Sequence, residues 1–306
     1  MRARHVALVR THLLAWLLFA ASSPAWAHGN GHEHPSASAG DVLLAGLLAL
    51  ALSAFAAGWR RLPRRRGGGK AVPTWRAVLF VAGIASLAFV LLPPFDHLAD
   101  ARFSAHMAQH LVLLVAAPPM LAASQGYVVM LHALPLRARR RAGRFIAALP
   151  GVKALARHGS EVWFVCLSSI AVLWFWHLPS SYEWARRDPL VHDAEHLLFL
   201  LAELSFWRVI LTSGGRRLSR AGAAVILALM GFQGGLLAAL ITLASTPLYR
   251  SYGTDAVSIS DQSLGGVMMW VVAGTVYLGA FALMLGLALA RERRRGREAL
   301  LMPEAG

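Results

Sequence analysis

Two pairs of histidines stand four residues apart in this chain, His106 with His110 and His192 with His196. On an α-helix, residues i and i+4 share a face, and one turn rises only about 5.4 Å. Each pair therefore turns two imidazoles the same way. Neutral imidazole is the commonest metal ligand in proteins, and two of them on one helical face suit a single ion. His177 follows Trp176 at the end of another apolar stretch, and Asp261-Gln262 open a further one. The five histidines and Asp261 are the candidate metal ligands, although they run from position 106 to position 261. Taken singly, each histidine also fits an interfacial side chain, and Asp261 also fits the N-cap of the helix it opens.

Other residues are auxiliary candidates. Met268 lies seven positions beyond Asp261, on its face of a helix. Thioethers suit Cu(I), although methionine in an apolar helix also serves simple packing. Glu203, seven positions beyond His196, and Gln262 can orient a ligand or carry a proton; Glu203 serves equally as polar glue between helices.

The elements that must position these residues are membrane spans. The 306 residues are 57% hydrophobic and 15% charged, against roughly 25% charged in ordinary soluble domains. Seven apolar runs cover roughly residues 41–59, 75–92, 104–124, 160–178, 191–211, 221–243 and 262–290. About 20 residues are needed to cross a hydrocarbon core of roughly 30 Å, and the runs have that length. The expected fold is all-α, a polytopic membrane bundle of about seven transmembrane helices.

The net charge of +15 does not imply nucleic acid. The basic residues sit between the runs, in Arg60 to Lys70, Arg137 to Arg144, around Arg216, and Arg291 to Arg297. Every second loop is more basic than its neighbours, which is the positive-inside pattern. It places those loops in the cytoplasm and the histidine-bearing helix ends on the periplasmic side of a bacterial inner membrane. Ionisable groups gathered at one membrane depth are a functional hypothesis in themselves. The lone Cys166 can form neither an intrachain disulfide nor a Cys-pair metal site.

Residues 1–27 carry arginines, then Leu13 to Ala21, then Ala25-Trp26-Ala27, the order of a secretory signal peptide. Left uncleaved, the same stretch is a short anchor and the topology is unchanged. Residues 28–40 then form an exported tail in which His28, His32 and His34 offer weak auxiliary metal binding or only a polar linker. Residues 41–290 form the membrane domain and 291–306 a basic cytoplasmic tail. Residues 145–158 suggest an amphipathic surface segment broken at Pro150-Gly151. Pro118-Pro119 should bend the third run and free backbone groups, and Gly234-Gly235, Gly265-Gly266 and Gly274 read as close helix contacts.

Taken together, four motifs are recognisable: His106-Met107-Ala108-Gln109-His110 running on to Ala117-Pro118-Pro119, Trp176-His177-Leu178-Pro179 before Tyr182, His192-Asp193-Ala194-Glu195-His196 leading to Phe199 and Trp207, and Asp261-Gln262 with Gly266 and Trp270. Over roughly residues 75–290 the chain resembles the CtaG family of multi-spanning cytochrome c oxidase assembly proteins, associated with caa3-type oxidases. The resemblance implies a non-enzymatic factor that matures a haem–copper oxidase by handling copper. It implies functional roles for His106, His110, His177, His192, His196 and Asp261, with oxidase subunits and periplasmic copper chaperones as partners and membrane lipid as surroundings. Two other readings fit the histidines: a membrane cytochrome whose His pairs ligate haem, and a copper transporter. The second needs a polar file through the whole bilayer, and only Glu203 and Gln233 lie deeper than the histidines.

Overall fold

A computed structural model describes residues 38–63, 72–148, 161–215 and 218–301. The signal-like start, the tail with His28, His32 and His34, most of 145–158 and the last five residues lie outside the described residues. Among the described residues all regular structure is helical. We number the helices α1 (Ala39–Arg61), α2 (Thr74–Leu91), α3 (Phe95–Ala101), α4 (Phe103–Ser124), α5 (Gly126–Leu131), α6 (Leu136–Ala148), α7 (Glu161–His177), α8 (Pro179–Arg187), α9 (Pro189–Leu211) and α10 (Arg220–Leu243). The last, α11, joins Ala256–Met268 to Gly274–Leu301 through a π-turn at Met269–Ala273.

Five of these helices are long and apolar enough to cross a membrane, or six if the pair α7 and α8, bent by 73°, is one span. Seven were expected, and α9 accounts for the difference. Its 23 residues include Asp193, Glu195, Glu203 and Arg208, so charge rather than length sets it apart. A helix of that length rises about 35 Å, and of those four residues Glu195, Glu203 and Arg208 are buried inside the protein.

Side-chain caps set several starts. Ser38 and Asp41 form a reciprocal capping box on α1, Asp188 caps α9 ahead of Pro189, and Ser219 caps α10. Helix α11 begins at Ala256, capped by Asp255 through the Ser258 N–H at 2.9 Å. Asp261 is therefore not the N-cap that its place at the start of an apolar run suggested; it lies a turn and a half inside the helix.

Helix α4 is the centre of the bundle. Its most apolar stretch is 61% buried, against 11% for α1 and 28% for α2. It packs on α2, α9 and the first segment of α11, while α10 lies along α11 and α7 along α9. A smaller apolar cluster, with Phe55 stacked on Phe80 at 4.2 Å, joins α1, α2 and α5. Outward-facing Leu50, Phe89, Phe232 and Leu243 are the side chains a bilayer would cover.

In the third run, where a bend was expected, a π-helical segment at Val112–Ala116 lies just before Pro118-Pro119. Neither proline has an N–H, so the Leu114 carbonyl loses its partner in both α and π registers. The indole N–H of Trp207 on α9 donates to it at 3.1 Å. Close packing is present at Gly266, where an added Cβ would lie 2.8 Å from the Thr242 nitrogen and 3.0 Å from the Ala238 oxygen. At Gly234 and Gly274, by contrast, nothing lies within 4 Å of that position, so the expected helix contacts are absent there.

The two ends of the bundle differ in chemistry. Helices α4 and α9 begin, and α7 ends, at the histidine end. At the other end the guanidinium of Arg61 donates to the Ala133 carbonyl, and that of Arg291 donates to Gly214 at 3.1 Å.

Candidate metal centre

His106 and His110 lie on the first turns of α4, with ring centroids 4.4 Å apart, and His192 and His196 on the first turns of α9, 4.2 Å apart. The helical faces meet. His106 lies 5.3 Å from His192 and 5.8 Å from His196, while His110 lies 5.5 Å from both His196 and His177. All five expected histidines thus form one cluster, and all but His192 are buried.

Glu195, between the α9 histidines, completes the cluster. It is fully buried, with Oε1 3.6 Å from His110 Nε2. A carboxylate at this depth in an apolar helix is costly without a partner, and that cost is the signal by which sequence reasoning could have singled it out. Two sets of three residues hold their donor atoms within 4.8 Å of one another: His106, His110 and His196, and His106, His192 and Glu195.

The donor atoms are short of partners. Both ring nitrogens of His106 and of His110, Nε2 of His177, His192 and His196, and both carboxylate oxygens of Glu195 are buried without a hydrogen bond. Buried polar atoms are ordinarily satisfied, so a concentration of unsatisfied ones marks a place built for something else. His177 is further defined: its Nδ1 lies 2.7 Å from the Leu173 carbonyl. A carbonyl only accepts, so Nδ1 carries the proton and Nε2 presents a bare lone pair, the orientation found behind metal-bound imidazoles.

The walls are aromatic. Phe199 packs 4.7 Å from His110 and 5.8 Å from His177, and Tyr182 lies 5.3 Å from His106. Tyr249 donates to the His177 carbonyl at 2.9 Å, holding the end of α7. Toward the outside, the Arg186 guanidinium pairs with Asp100 at 2.6 Å and lies over the Tyr252 ring. On the opposite face of α4, Gln109 donates from Nε2 to the Val90 carbonyl and to Asp96, each at 2.8 Å. Burial pushes the Asp96 carboxyl above its ordinary pKa, the Gln109 hydrogen bond opposing this only in part.

Other expected residues are elsewhere. Asp261 accepts from the Ser104 N–H at 3.2 Å and from the Ser104 hydroxyl, so it holds the start of the helix that carries His106 and His110. Gln262 accepts from the Leu248 N–H at 2.7 Å, fixing the loop before α11. Met268 packs against the apolar core. Glu203 accepts from Ser169 and from Tyr277 as a bridge between α7, α9 and α11.

The model of the cytochrome c oxidase caa3 assembly factor family matches residues 53–291. The chain belongs to this family. The matched segment holds the entire histidine cluster. Two uncharacterized proteins, one of Mycobacterium bovis and one of Mycobacterium tuberculosis, are each 28% identical over 231 residues, covering 71% of this chain and 34% of the relative. The chain thus spans about a third of the length of the curated relatives it matches. No solved structure matches.

Proposed function

We propose that this protein is a non-enzymatic assembly factor that binds copper in the buried histidine cluster and delivers it to a cytochrome c oxidase subunit while a metal centre matures. The observation that carries the reading is the convergence of five imidazoles and Glu195, whose inward donor atoms have no hydrogen-bond partners. Family membership supplies the client.

The donor set fits the cargo. Imidazole suits copper, and for a given nitrogen site the affinity order among divalent metals peaks at copper. His106, His110, His192 and His196, with His177 and Glu195, would hold the ion, and the metal's own chemistry would be only binding and release. With no thiolate in the set, the site would hold Cu(I) less tightly than a paired-cysteine chaperone does, which suits a donor that must release its cargo. Phe199 and Tyr182 pack directly against the imidazoles.

In this reading α9 and the bent α7–α8 pair also cross, giving seven spans in a bacterial inner membrane. The arginine end faces the cytoplasm by the positive-inside pattern, the histidine end faces the periplasm, and a signal peptide precedes an exported histidine-rich tail. Periplasmic copper chaperones would load the site. His28, His32 and His34 would serve at most as an auxiliary collector, so trimming 28–36 should leave activity largely intact.

Copper analysis of purified protein beside a His106→Ala/His110→Ala variant tests the reading. Wild type should carry copper and the variant should not; equal copper in both would overturn it. In cells, deletion should lower assembled oxidase while its subunit genes remain expressed.

A further inference from the structure

We propose that the cluster holds two metal positions, not one, which share His106 and are filled in turn by a single ion. This rests on the copper-binding reading above and adds to it a path within the site. The inner position is His106, His110 and His196, all buried; the outer is His106, His192 and Glu195, of which His192 is half-buried. His106 is the one residue common to both sets.

Geometry separates the two. Nitrogen ligands about 2.0–2.1 Å from a tetrahedral ion lie roughly 3.4 Å from one another. Donor atoms already within 4.8 Å reach that spacing by small side-chain rotations, and each set of three meets this limit. His192 stands one helical turn nearer the start of α9 than His196 and is the one half-buried member of the two sets, so an incoming ion meets it first. The aromatic rings around the inner set leave its three histidines no more than 8% exposed.

His106 is free to serve both. His177 is tethered through Nδ1 to a backbone carbonyl. Neither ring nitrogen of His106 has such a tether, so no hydrogen bond fixes the ring toward one set. A neutral imidazole has one in-plane lone pair, so His106 ligates one position at a time. The donors also differ in kind. The outer position includes a carboxyl oxygen, the harder donor, and the inner is all imidazole, the softer environment. An ion arriving at the outer position can pass inward by exchanging His192 and Glu195 for His110 and His196 while His106 stays bound.

The test uses the full chain in detergent, titrated with copper(II) alone and read by metal content and by electron paramagnetic resonance. His192→Gln/Glu195→Gln removes the outer position and His110→Gln/His196→Gln the inner one; glutamine keeps the polarity of the cavity. Wild type should bind one equivalent, and each double variant should still bind one, with affinity lowered about tenfold, a cost of about 1.4 kcal/mol. The inner-only protein should show coupling to three nitrogens and load more slowly, and the outer-only protein should show coupling to two. His106→Gln should lose copper altogether. Two equivalents in wild type, or a double variant without copper beside a wild type with one, would overturn the shared-position proposal and leave the copper reading standing. A wild type without copper would end both. Circular dichroism of each variant confirms that the comparison is between folded proteins.

Discussion

The Asp261 carboxylate on α11 holds the amino end of α4 by accepting from the Ser104 backbone N–H and the Ser104 hydroxyl. Arg102, at the N-cap position of α4, makes no side-chain cap, so the cap is supplied by another helix. The capped Ser104 sits two residues from His106. The pair therefore ties the position of the α4 histidines to α11, which contributes no donor to either set.

Replacing Asp261 with alanine should cost about 1 kcal/mol of stability, as loss of a helix cap ordinarily does. Copper stoichiometry should remain that of wild type while affinity falls. Asp261→Asn, whose side-chain oxygen still accepts, should recover most of that affinity. Titration against a competing chelator checks this, and loss of stoichiometry in both variants would make Asp261 a ligand after all.

The indole of Trp207 substitutes for the N–H that Pro118 lacks. Trp207→Phe keeps a ring to stack on Tyr277, at 5.7 Å in the native protein, but leaves the buried Leu114 carbonyl unpaired. The expected loss is about 1–3 kcal/mol. Pro118→Ala restores a backbone donor, so Trp207→Phe should cost less in that background than in the native chain. Equal costs in the two backgrounds, measured by denaturant titration in micelles, would show that the indole hydrogen bond contributes nothing.

The i, i+4 spacing of His106 with His110 and of His192 with His196 already implied two imidazoles on one face of each helix, and the loop charges implied one shared depth. Which faces meet was not legible, because periodicity orients a helix about its own axis and says nothing about its neighbours. The cost of a carboxylate within an apolar run marks Glu195 in the sequence, but its place beside His110 follows only from the approach of α4. Asp261 stands at the first polar position of an apolar run, but α11 starts earlier, at Asp255, where hydropathy is low and only the capping geometry marks the boundary. The glycines of the apolar runs look alike in sequence, yet Gly266 faces backbone and Gly274 faces open space.

That last contrast is measurable. Gly266→Ala sets a methyl against the Thr242 nitrogen and the Ala238 oxygen, which are backbone atoms that cannot turn aside. Helices α10 and α11 must part, at an expected cost of about 1–3 kcal/mol. Gly274→Ala meets nothing and gains helix propensity, so it should be neutral or stabilising by up to about 1 kcal/mol. Thermal unfolding of the two variants should move in opposite directions, or in one direction only if the helices are not in contact at Gly266.

Gln109 lies between the two α4 histidines and anchors the turn from its far side, through Val90 and Asp96. Burial raises the Asp96 pKa in the folded protein, while in the unfolded chain it stays near about 3.9. The folded state thus binds this proton more tightly, and linkage makes stability fall as pH rises from the unfolded value through the folded one. Below both values the carboxyl is protonated in both states and costs nothing. Asp96→Asn keeps an oxygen for Gln109 and removes the titration. The variant should match wild type at the acid end and exceed it in stability at neutral pH. Melting curves of the two proteins across that range decide the matter: a difference that stays constant with pH would mean that Asp96 does not carry the proton its burial demands.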